Sequence, residues 1–255
     1  MSPTGYKAPA VEKAFRLLDY ISGSQHEPGI SEISQALGFG KSTTHGIVQA
    51  LLKTGALGQN PSGKKLFLGP AVIELAFKSW NRLGIFRKSK PAIEKLRDQI
   101  GETIFLGVLS KSAGIIIATA EAAKPLKISS PPGTSIPPLA GAVGKIFLAH
   151  HDDIQALKII RENGLPAFTE KSVTDEYNYL KELAKVRSNG YAIDDEEYMP
   201  GVRAVAAGLG NHRGLLPAIW VVGFASSMDD KSMPVIIEKT LSTAKELGLE
   251  FKNNR

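Results

Sequence analysis

Three residues, Gly38-Phe39-Gly40, separate two stretches whose apolar residues recur at helical spacing. So short a glycine-bearing connection turns the second helix sharply across the first, the arrangement of a helix-turn-helix. The first stretch carries Ile33, Ala36 and Leu37, with Ser31 as its expected cap and Ser34 three residues on; the second, Lys41 to Thr54, carries Ile47, Val48, Leu51 and Leu52. Upstream, Val11, Ala14, Phe15, Leu18 and Ile21 mark one face of a helix over residues 10–21. After Gly55, Ala56-Leu57-Gly58 and Lys64-Lys65-Leu66-Phe67-Leu68 flank Asn60-Pro61-Ser62-Gly63, which predicts two short strands around a turn. That hairpin would form a wing.

Residues 70–90 read as one long helix with Ile73, Ala76, Phe77, Trp80, Leu83 and Gly84 on a stripe, ended by Pro91. Beyond a helix over 92–100, apolar segments at 103–109, 114–120 and 126–130 read as strands. Helices are expected over 140–150, 152–163 and 174–188, the last capped by Thr174, then strands at 191–194, 202–209 and 216–224 and a helix over 231–247. Two groups of three strands around central helices predict an α+β domain with an antiparallel sheet. The expected division is a winged helix-turn-helix over 1–70, a linker helix over 71–90 and the sheet domain over 91–255.

Charge separates these parts. Residues 1–90 hold 12 Lys+Arg against 5 Asp+Glu, and residues 91–255 hold 19 against 20, so the basic excess lies wholly in the first third. That asymmetry points to a polyanion partner for the N-terminal segment. With no cysteine the chain has no disulfide, zinc-thiolate site or cysteine nucleophile. The start of the chain lacks an apolar h-region, and no stretch approaches the ~18 apolar residues of a membrane span, so a cytoplasmic protein without membrane attachment is expected.

Gly40-Lys41-Ser42-Thr43 resembles the end of a phosphate-binding loop, but Gln35 stands where that motif needs glycine. Gly58 to Lys65 fails for a different reason, since Lys65 replaces the hydroxyl that would meet Mg²⁺. The run Lys41-Ser42-Thr43-Thr44-His45 fits better as the first turns of a recognition helix, where short hydroxyl and imidazole side chains enter the major groove and the free amides meet phosphate. The candidate DNA contacts are Ser31, Lys41, Ser42, Thr43, Thr44, His45, Gln49, Lys64 and Lys65. His150-His151-Asp152-Asp153 reads as a helix end followed by an Asp cap rather than a metal site. Asp194-Asp195-Glu196-Glu197 follows a strand and is either a solvated loop or a place where calcium or an effector binds. No spacing of serine, histidine and acid suggests catalysis, so neither an enzyme nor a cofactor is expected.

These segments together resemble the IclR family of bacterial regulators, from about Val11 to Leu247. The likeness rests on Gly29-Ile30-Ser31-Glu32-Ile33, Ala36-Leu37-Gly38, Lys41-Ser42-Thr43 and Leu68-Gly69-Pro70. In the second domain it rests on Gly101-Glu102-Thr103, Pro132-Gly133, Ala142-Val143-Gly144-Lys145, Gly190-Tyr191-Ala192, Asp194 to Glu197 and Gly201-Val202-Arg203. The resemblance implies a linker helix that helps dimerise, a GAF-like domain that binds a small metabolite, and homodimers or tetramers acting on operator DNA. Family members commonly carry arginine where this chain has Gly46, and small polar residues where it has Ala204, Trp220 and Val222. The expected effector site comprises these three with Gly141, Ala142, Asp194 and Glu197. An aromatic acid would stack on Trp220, with its carboxylate at the amides near Gly141 and Ala142 and a hydroxyl on Asp194 or Glu197. The competing readings are an enzyme tethered to DNA, and a ligand-independent architectural dimer in which Trp220 and Val222 fill the cavity.

Overall fold

The computed structural model describes residues 8–83, 85–109, 114–212 and 214–252, and divides into two compact units, Met1–Leu83 and Gly84–Arg255. In unit 1, helices α1 (Pro9–Gly23), α2 (Ile30–Leu37) and α3 (Lys41–Lys53) precede a hairpin of β1 (Leu57–Gln59) and β2 (Leu66–Leu68), followed by α4 (Pro70–Leu83). Leu17, Ile21, Ile33, Ile47, Val48, Leu57 and Leu66 form its core, one small cluster shared by three helices and the hairpin. α2 ends on Gly38 at φ +66°, a left-handed cap that only glycine adopts without strain. Its start departs from expectation: Gly29 is the cap residue and Ser31 lies inside the first turn. β1 pairs antiparallel with β2, and Lys64 and Lys65 lie in the connecting turn, not on the strand.

Unit 2 opens with α5 (Ile85–Ile100), which contains Pro91 rather than stopping at it. A proline there lacks one N–H donor, but Ile93 and Leu96 are fully buried, and their packing holds the helix through the gap. The expected helix over 70–90 is described as α4 up to Leu83 and as α5 from Ile85; Gly84 between them and the side chains of Trp80 and Leu83 lie outside the described residues.

The sheet of unit 2 is antiparallel, in the order β5 (Ser135–Ile136), β4 (Gly114–Ala120), β3 (Thr103–Leu109), β8 (Leu216–Phe224), β7 (Val202–Gly208), β6 (Tyr191–Asp195). No strand forms over 126–130, a stretch bounded by Pro125, Pro131 and Pro132, which have no amide to give a ladder. β5 takes the edge instead, and the Thr119 hydroxyl donates to the Ser130 carbonyl. One face is covered by α6 (Gly141–Ala149), with α8 (Glu176–Asn189) on α6 and α7 (Asp153–Asn163) on α8. α5 and α9 (Met233–Lys252) pack together and against β3, β4, β7 and β8. Asp152 caps α7 by accepting from the Gln155 amide, as read from sequence. α8 is capped by Asp175, not Thr174, because a carboxylate both accepts the Asn178 amide and suits the positive end of the helix.

Candidate DNA interface and effector site

α3 buries Thr44, Ile47 and Val48 and leaves Lys41, Ser42, Thr43, His45 and Gln49 exposed. Ser42, His45 and Gln49 follow three-and-four spacing, so they line one outward ridge. Thr44 departs from the expected groove-facing role: it is fully buried, and its hydroxyl donates to the Gly40 carbonyl at 3.1 Å. Ser31, Lys64 and Lys65 are exposed. Asn60 Oδ1 accepts from the Lys64 and Lys65 amides, both at 3.3 Å, which shapes the turn that presents the two lysines. Two basic residues that sequence reading passed over stand beside the helix-turn-helix. Lys13 and Arg16 of α1 lie over the buried Phe39 ring, 5.5 and 4.9 Å from its centroid. The available signal was a pair of cations three apart on a helix that precedes a turn containing an aromatic residue.

In unit 2 the strand register brings the expected effector residues together. Asp194 pairs with Ala204, Ala204 with Val222 and Val222 with Thr103; two residues along, Ala192, Ala206, Trp220 and Phe105 form a second row. Directly paired residues share a face, so both rows point toward α6. The N-terminus of α6 closes on this face at Gly141, whose φ is +45°. A β-carbon there would strike Asp194 Oδ2, so this glycine is required by conformation and by contact. The described non-glycine residues with positive φ are Leu139 at 64°, just before α6, and Glu196 at 63°, just after β6. Both strained residues therefore flank the same place.

The acidic run is held internally. Asp194 is buried, and its Oδ1 accepts the Glu197 amide at 2.6 Å and the Tyr198 amide at 3.3 Å. Burial, more than the neighbouring Glu197 charge, pushes its carboxyl up to about 6. Asp195 meets Arg203 at 2.5 Å, and Glu196 meets Lys171 at 2.6 Å and accepts the Gly201 amide. Glu197 meets Lys145, a lysine on α6 that is only 2% exposed, at 2.5 Å. The same ammonium donates to the Ile193 carbonyl at 3.0 Å and stands 3.8 Å from Glu182 of α8. Sequence reading had not singled out Lys145 as a site residue; its signal was one charge inside the apolar run Gly141 to Ala149. Trp220 is 2% exposed, tilted against Phe105 at 5.8 Å between centroids, and its ring covers Gly107. The expected stacking surface is thus core. Among the described residues no group of three or more metal-ligating side chains is present, and no helix is long and apolar enough to cross a membrane.

The IclR helix-turn-helix domain model matches residues 10–61, and the bacterial transcriptional regulator IclR C-terminal model matches residues 77–249. The chain belongs to the IclR family. It is 29% identical to the HTH-type transcriptional regulator BhcR of Paracoccus denitrificans over 94% of this chain and 86% of that one. It is 28% identical to the transcriptional repressor IclR of Escherichia coli, covering 100% and 94% of the two chains. A crystal structure of an IclR transcriptional regulator from Alicyclobacillus acidocaldarius superposes with a TM-score of 0.79 at 25% identity, covering 96% and 99%. The protein is an IclR-type DNA-binding transcriptional regulator with a ligand-binding C-terminal domain.

Proposed function

We propose that this IclR-family chain controls a metabolic, catabolic operon in response to a small organic acid bound in unit 2. The observation that carries the reading is the row Asp194, Ala204 and Val222 closed by the glycine start of α6 and flanked by the strained Leu139 and Glu196. The first amides of α6, at Gly141 and Ala142, have no partner within the helix and suit a carboxylate. Asp194 would take up a proton as that anion arrives, and Asp194 or Glu197 would accept from a ligand hydroxyl. Because Phe105 and Gly107 already cover the Trp220 ring, a compact hydroxy or keto acid suits the site better than a stacked aromatic one.

On DNA, Ser42, Thr43, His45 and Gln49 would read bases in the major groove, while Ser31, Lys41, Lys64 and Lys65 meet phosphates, joined by Lys13 and Arg16. The protein would act in the cytoplasm as a homodimer or tetramer, the acid favouring one of two spacings of the recognition helices. A thermal-shift screen of organic acids on the full chain tests this: at least one acid raises its melting point. The buried Trp220 favours a second reading, a ligand-independent architectural dimer, which the same screen supports if no acid stabilises the protein.

A further inference from the structure

Two buried side-chain polar atoms lack a hydrogen-bond partner among the described residues, His151 Nε2 and the Tyr179 hydroxyl. His151 is a half-exposed residue whose other ring nitrogen meets Gln155 at 3.2 Å. Tyr179 is a different case. It is 3% exposed, projects from α8, and belongs to the core cluster that contains Ala142, Ala204 and Trp220. A buried hydroxyl without a partner destabilises a core, and phenylalanine would fill the same volume without that cost. Such a group is informative because a ligand can satisfy it.

Its surroundings define what that ligand atom is. Burial first, and the charge of Glu197 second, hold the phenol above its ordinary range, so it remains a donor. Glu197 also disfavours a second negative charge beside it. The charged group that reaches it is Glu197, which holds Lys145 of α6; that ammonium also donates to the Ile193 carbonyl and stands 3.8 Å from Glu182, one turn along α8 from Tyr179. The positive end of α6 lies against Asp194, where an anionic group is favoured.

We propose that Tyr179 is a specificity-determining residue of the effector site, its hydroxyl donating to an uncharged keto or hydroxyl oxygen of an acid whose carboxylate sits at the start of α6. This rests on the effector reading above. A site that hydrogen-bonds a ligand oxygen rejects the analogue lacking it, because its own polar group then stays unpaired.

The test uses titration calorimetry of the full chain with matched acids, pyruvate against propionate, glycolate against acetate, and 4-hydroxybenzoate against benzoate, on wild type and Tyr179→Phe. Wild type is expected to prefer the oxygen-bearing member of at least one pair by tenfold or more, and Tyr179→Phe to lose that preference while melting no lower than wild type without ligand. A preference retained in Tyr179→Phe overturns the assignment, as does a variant that melts several degrees lower, since the hydroxyl would then have a structural partner. Wild type that binds an acid without regard to its second oxygen overturns the Tyr179 role alone. Wild type that binds none of the six overturns the effector reading with it.

Discussion

Lys145→Met removes a cation from the interior of unit 2 while keeping nearly the same volume. In the wild type its ammonium holds Glu197 at 2.5 Å and the Ile193 carbonyl at 3.0 Å, and only 2% of the side chain reaches solvent. The variant leaves the Glu197 carboxylate, 15% exposed, without its cation. Removing one partner of a buried pair costs about 3–5 kcal/mol. Glu197 retains some water, which places the loss near the low end, about 3 kcal/mol. For a unit of this size that corresponds to a melting point roughly 6–12 °C lower. Glu197→Gln alone strands the ammonium and should cost a similar amount, whereas Lys145→Met with Glu197→Gln should recover at least half of the summed losses, because no unpaired charge remains. Differential scanning calorimetry on the full chain reads all three. A loss below about 1 kcal/mol for Lys145→Met, or strict additivity in the double variant, would refute the view that this pair is an interdependent element of the core.

Asp194 makes stability fall as pH rises, because its folded carboxyl, at about 6, lies above the ordinary 3.8, so between those values the folded state binds more protons than the unfolded one. Relative to Asp194→Asn, wild type should therefore lose up to about 3 kcal/mol between pH 4 and pH 7 in urea titrations; parallel curves would contradict this. Lys64→Ala with Lys65→Ala should weaken binding to all DNA and reduce the steepness of the log affinity against log salt plot by about 2; an unchanged slope removes the wing from the interface. Gly46 is exposed in the middle of α3, and an added β-carbon there meets no atom within 4 Å. Gly46→Ala should thus stabilise unit 1 by roughly 1 kcal/mol in calorimetry, and a lower melting point would show that the open space is needed. Thr44→Val should lower stability without changing base preference, since the residue is buried; altered preference in a binding-site selection would return it to the groove.

The parts of the fold written in short-range physics were legible. Three-and-four spacing gave α1, α2 and α3, alternation and turn residues gave the hairpin and most strands, and Asp152 announced the start of α7. What failed depended on partners distant in sequence. Pro91 stays within a helix because Ile93 and Leu96 are buried against the sheet, and Leu126 to Ser130 is no strand because nothing pairs with it. Thr44 belongs to a run of polar residues, and only the packing of α3 decides which of them turns inward. The residues expected to hold an effector were reached through family resemblance; the pairing that puts Asp194, Ala204 and Val222 in one row follows from a strand register that spacing does not encode. The ion pairs that hold the acidic run were not legible because Arg203, Lys171 and Lys145, its cations, lie elsewhere in the chain.

The central claim is that an acid held in unit 2 changes how unit 1 binds DNA. Fluorescence anisotropy with the region upstream of the protein's own gene, measured with and without an acid that stabilises the full chain, tests it most directly. The account predicts that the acid shifts affinity for that region by about tenfold or more, the 1.4 kcal/mol or greater of a coupled pair of sites, while leaving binding to unrelated DNA of the same length unchanged. An acid that binds the protein and leaves both affinities where they were would contradict it.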